Sequence, residues 1–150
     1  MTGTVLRYWE NLVVGESVAL GSTTVSKPMI IAFATAFDPL PFHLDETAAK
    51  ASLLGGLAAS GWQTGALTLR LLADAFLGGI AATGIVAAPS VKWKSPVYAG
   101  DTITGVATIT ELRPVDALGG IAVLQIDMRN QRRKPVLSMT LAQRIERRLQ

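Results

Sequence analysis

Between residues 61 and 77 the chain is apolar on nearly every helical face, with Arg70 and Asp74 as the only charges. A helix of that make-up has to be surrounded by protein. Four segments after it read as strands: 86–97, 102–110, 121–128 and 136–145. In the second, threonine recurs in an alternating pattern, at 102, 104, 108 and 110, which assigns those side chains to one face. Turn-forming stretches at 114–120 and 130–135 separate the later strands. Ahead of the helix, residues 17–25 also read as a strand.

A long buried helix followed by consecutive strands predicts an α+β fold. Its most economical packing is an antiparallel sheet curled around the central helix, a hotdog fold. Periodicity alone leaves open a flatter sheet with the helix on one face. The 150 residues suit one domain spanning 1–150. Apolar residues make up 49% and charged residues 17%, which excludes a disordered chain and predicts a homodimer or higher oligomer.

There is no cysteine, so thiolate catalysis, thiolate metal sites and disulfides are excluded. That fits a reducing compartment, and a cytoplasmic location is expected. Arg7 and Glu10 interrupt the N-terminal region before any apolar run, so no secretory signal is expected. The longest uncharged stretch, 75–91, is shorter than the roughly 20 residues of a membrane span. From Arg129 onward lie seven of the fourteen basic residues and one acid, Glu146. No aromatic residues interleave with them, so a solvated hairpin tip and basic tail are expected rather than a nucleic-acid surface.

Smaller elements precede the central helix. Ser26 reads as an N-cap for a helix over 29–37, with Pro28 in its first turn. Pro39 and Pro41 forbid its continuation, which leaves Asp38 at its C-terminal end and His43 on a two-proline loop. Asp45 can cap a short helix over 46–52. A glycine turn over 53–59 leads to Ser60-Gly61-Trp62-Gln63, the pattern of a capping box with serine at N-cap and glutamine at N3.

His43 is the only histidine. Imidazole is the one side chain that titrates near neutrality without help, so any imidazole chemistry is already assigned. Asp38 stands five residues before it. A carboxylate and an imidazole sharing one water can move a proton on and off it. If Ser60 satisfies the Gln63 amide, the amides of Gly61 and Trp62 stay free at the positive end of the helix dipole. They make a reasonable oxyanion hole for a thioester carbonyl, and glycine lets a ligand come close. The residues alone leave open an ordinary buried cap, an aspartate that merely ends a helix and a histidine bonded to backbone. One histidine without clustered carboxylates argues against catalytic zinc, and no nucleotide fingerprint occurs.

The run Phe33-Ala34-Thr35-Ala36-Phe37-Asp38-Pro39-Leu40-Pro41-Phe42-His43-Leu44-Asp45, followed by Ala59-Ser60-Gly61-Trp62, resembles the MaoC-like hydratase/dehydratase family, which includes the (R)-specific enoyl-CoA hydratases. Arg7-Tyr8-Trp9-Glu10 and Ser95-Pro96-Val97-Tyr98-Ala99-Gly100-Asp101 extend the likeness along nearly the whole chain. The resemblance implies a hotdog fold, usually dimerised with sheets edge to edge. It implies Asp38 and His43 as the catalytic pair and Gly61 as donor of the oxyanion-binding amide, with Ser60 and Trp62 beside the substrate. No cofactor and no metal are implied; the expected partner is an acyl-CoA or carrier-linked acyl thioester, not nucleic acid or membrane.

The implied reaction adds water across C2–C3 of an enoyl thioester to give an (R)-3-hydroxyacyl thioester, or the reverse, within fatty acid metabolism. Against the usual motif, Phe37 replaces a small residue, Leu40 an asparagine and Ser60 a histidine, while Trp62 is unusually bulky. The bulkier lining implies a shortened or redirected acyl pocket. Two rivals remain: a hotdog acyl-CoA thioesterase and a non-catalytic acyl-binding module.

Overall fold

The computed structural model describes residues 5–149. Its described strands form one antiparallel sheet: β1 (Ser17–Thr24), β2 (Ala82–Trp93), β3 (Thr102–Pro114), β4 (Gly119–Arg129) and β5 (Pro135–Glu146). Their spatial order is β1-β3-β4-β5-β2. The strands richest in Val, Ile, Leu and Met take the centre. Leu124, Ile126 and Met128 of β4 stand opposite Leu141, Met139 and Leu137 of β5, and all six are buried. On β3 the expected alternation holds: Ile103, Ala107 and Ile109 point into the core, while the threonines face outward. There Thr108 meets Ser17 of β1 at 2.9 Å and Thr102 meets Thr24 at 2.7 Å.

The helices are α1 (Lys27–Phe37), α2 (Pro41–Leu44), α3 (Glu46–Ala51) and α4 (Gly61–Ala75). Two predicted caps are present. Ser26 accepts from the Met29 amide at 3.3 Å, and Asp45 accepts from Ala48 at 2.8 Å. Along α4, Thr64, Gly65, Thr68, Leu71 and Leu72 are buried at three-to-four-residue spacing. The expectation of burial all round needs correcting, because Trp62, Ala66 and Ala73 face outward. Apart from the tryptophan these are alanines, which favour a helix without requiring burial.

Further corrections concern boundaries. Strand β2 begins at Ala82 and stops at Trp93, so 94–97 lie beyond it. Its early part holds Gly84 at φ 144° and several shifts of register, which hid the strand pattern. Residues 41–44 form the helical turn α2, with Pro41 at its start. Proline breaks a helix from within yet suits its first position, where its missing N–H costs nothing.

The basic tail is largely engaged within the chain. Arg144 pairs with Asp116 at 2.9 Å, Arg147 lies over Trp9 and Arg148 over Tyr8. No helix among the described residues is long and apolar enough to cross a membrane.

Candidate active site

His43 is placed by backbone. Residues 57–59 run antiparallel to 97–99: the Ala59 amide donates to the Val97 carbonyl at 2.8 Å and the Ala99 amide to Leu57 at 3.0 Å. The turn that follows needs Gly100 at φ 90° and is closed by Asp101, whose carboxylate accepts from the Tyr98 amide at 2.9 Å. This pairing fixes the Ala58 carbonyl, which lies 2.6 Å from His43 Nδ1. A carbonyl only accepts, so Nδ1 carries a proton, and in the neutral ring Nε2 is bare. Helix α2 supplies the other constraint, with Phe42 edge-on to the imidazole at 4.5 Å. The histidine is 7% exposed.

The bare face of the ring points at Asp38. His43 Nε2 lies 3.4 Å from Asp38 Oδ2. That is longer than a well-formed hydrogen bond, so the two atoms oppose each other across a narrow gap and are not locked together. Asp38 ends α1 with its amide on the Ala34 carbonyl, and its own carbonyl accepts from Leu40 at 2.8 Å. The backbone between the two groups is thus a tight double turn, and five residues suffice to bring them together.

Gly61 opens α4. Among the described residues no protein acceptor faces its amide or that of Trp62. The capping box is not formed, however. The Gln63 amide donates to the Ser60 carbonyl at 2.9 Å, while the Gln63 side chain reaches α1 and donates to the Met29 carbonyl at 2.9 Å. Among the described residues the Ser60 hydroxyl is buried without a partner, and Ser60 is not among the residues that line the recess of His43 and Gly61. The glycine is required for a reason the sequence did not reveal. A Cβ there would sit 2.7 Å from Trp93 Nε1, and that indole donates to the Gly61 carbonyl at 2.6 Å.

Two recesses flank the pair. His43 and Gly61 share a recess of about 330 Å³ with Phe42, Leu54, Thr64 and Trp93 among its walls. Asp38 borders a cleft of about 620 Å³ with Phe33, Phe37 and Trp62. Trp62 and Trp93, edge to face at 4.9 Å, contribute one wall to each. The predicted residues Asp38, His43, Gly61 and Trp62 therefore come together around two adjoining spaces, where the sequence suggested one. Sequence reasoning missed the Ala58 carbonyl, which no residue type signals, and the contact of Trp93 with Gly61. Among the described residues, no three His, Cys, Asp or Glu side chains gather as a metal cluster would require.

An antiparallel five-stranded sheet with a central helix is the hotdog fold. Residues 11–126 match the family model described as a MaoC like domain. The chain belongs to the MaoC-like dehydratase family. It is 30% identical over 141 residues to the uncharacterized protein YdeM of Bacillus subtilis, covering 92% of this chain and 98% of that one. It is 28% identical over 115 residues to the (R)-specific enoyl-CoA hydratase of Rhodospirillum rubrum, covering 73% and 74%. The crystal structure of a MaoC-like dehydratase from Rhodospirillum rubrum superimposes with a TM-score of 0.84 at 38% identity, over 95% of this chain and 99% of that one. At the general level, membership supports a hydratase or dehydratase.

Proposed function

We propose that this protein adds water to the C2–C3 double bond of an enoyl thioester, giving an (R)-3-hydroxyacyl thioester, and catalyses the reverse dehydration at the same site. The opposition of His43 Nε2 and Asp38 Oδ2 at 3.4 Å carries this reading. A water held by both atoms gives up one proton to the pair as its oxygen bonds to C3. The pair returns one proton to C2 and ends as it began. Because the two atoms are so close, both additions fall on one face of the alkene. The thioester carbonyl faces the Gly61 amide, where the N-terminal end of α4 stabilises the negative charge that develops on oxygen. No cofactor enters the step, and CoA or a carrier protein would hold the acyl group by its thioester.

The working form on this reading is a homodimer joined through β2. Among the described residues that strand is paired only with β5, and Ile85 and Val86 are exposed along it. An apolar, unpaired edge invites another copy.

The test is loss of enoyl-thioester absorbance with crotonyl-CoA. The native chain is expected to consume it without releasing free thiol. Asp38→Asn, if folded, should lower turnover by about 10²–10⁴-fold, the range of general acid–base catalysis. Release of free CoA would favour a thioesterase, and equal rates in both proteins would refute the assignment of Asp38.

A further inference from the structure

The hydratase reading orients a substrate, and the orientation leads to its acyl group. With the carbonyl at Gly61, C3 lies within reach of Asp38 and His43, and whatever C3 carries continues past Asp38. The wall beyond Asp38 is the cleft of Phe33, Phe37 and Trp62. We propose that this cleft binds the C3 substituent and selects a flat, ring-bearing one, a 3-aryl acyl thioester, with Trp62 as the residue that decides it; the proposal rests on the hydratase reading.

Three observations carry it. First, Asp38 itself borders the cleft, so the aromatic surface is continuous with the reacting centre. Second, the rings of Phe33 and Phe37 lie 5.1 Å apart at 52°, and Trp62 meets Trp93 edge to face. A ring laid among Phe33, Phe37 and Trp62 has both faces and edges to contact. Third, within one protomer the cleft is open, since Phe37 is 76% and Trp62 64% exposed. A long alkyl chain gains by burying each methylene all round, which needs a tunnel. An open cleft covers one side of a chain but can cover a whole face of a ring. Rigid aromatic walls also lose little side-chain freedom on binding. No basic side chain stands among the cleft residues, so an acidic substituent finds no partner there.

The experiment runs in the dehydrating direction, where conjugation with the ring favours the alkene. The C2–H and C3–O bonds break, the double bond forms, and the hydroxyl leaves as water with the proton from C2. The substrates are 3-hydroxybutyryl-CoA, 3-hydroxyoctanoyl-CoA and 3-hydroxy-3-phenylpropionyl-CoA. Aryl alcohols dehydrate more readily by themselves, so the informative quantity is the change in the aryl-to-butyryl ratio of kcat/KM on substitution. Trp62→Leu should lower that ratio about tenfold, the factor of one good aromatic contact. Phe33→Leu should move it the same way.

A ratio unchanged in both folded variants, or an octanoyl substrate preferred over the aryl one by the native chain, would overturn the proposal and leave the hydratase reading standing. Trp62 serving instead as an interface between copies would appear as an altered elution volume with a fixed ratio, which also overturns it. Failure to turn over any of the three would refute the hydratase reading and the inference with it.

Discussion

The two sides of the candidate site are built on opposite principles. On the His43 side everything is tied: the imidazole to the Ala58 carbonyl, that carbonyl's strand to 97–99, and Tyr98 Oη to the Leu54 carbonyl at 2.7 Å. On the Asp38 side the walls are aromatic rings, of which Phe33 is half-buried while Phe37 and Trp62 stand largely exposed. Proton transfer tolerates little misplacement, so its histidine is fixed by backbone. Selection among acyl groups needs only a surface of suitable shape, and the cost of losing one ring there is modest.

Substitutions can break or sharpen this contrast. The largest effect is expected at the pair: His43→Gln, like Asp38→Asn, should cost about 10²–10⁴-fold in kcat with the fold preserved, measured by steady-state kinetics and circular dichroism. Next is Gly61→Ala, where the new methyl meets the Trp93 indole. Overpacking of that kind costs about 1–3 kcal/mol. It should appear as a lower denaturation midpoint together with slower turnover, since the amide moves. Phe37→Ser tests the open side. Its stability change should stay within about 0.5 kcal/mol, as for other exposed positions, and urea denaturation would measure it. If that substitution unfolds the protein, the open side is structural after all.

The smallest effect lies far from both sides. The Asp116 carboxyl is held below its ordinary range by hydrogen bonds from Arg144 and from the Leu118 amide. A carboxyl held low when folded adds stability above its unfolded pKa and loses that contribution as pH falls through the folded value. Asp116→Asn should therefore slightly narrow the gap between neutral and acid stability, read from melting curves at several pH values, and leave kcat unaltered.

How much was legible followed from what each feature depends on. The helix α4 and the strands came from periodicity, because the burial pattern of a side-chain face is written in residue type. Asp38 and His43 came as a pair from the resemblance to the family motif, since their spacing around two prolines alone left a plain helix end and a loop histidine open. The turn α2 was missed because Pro41 reads as a breaker, although it occupies a helix start. The Ser60 cap was misread because a serine beside a free amide has a choice of partners; here the Ser60 carbonyl took the Gln63 amide. The division into two recesses was illegible, since it depends on Trp62 and Trp93, 31 positions apart, meeting edge to face.

The closeness of the two proton-handling atoms has a stereochemical consequence. Hydration of crotonyl-CoA in D₂O, with the product analysed by NMR, reads it directly. A single deuterium at C2, on the same face as the new hydroxyl at C3, is the expected result. Deuterium on the opposite face, or spread over both, would mean that Asp38 and His43 do not serve one shared water.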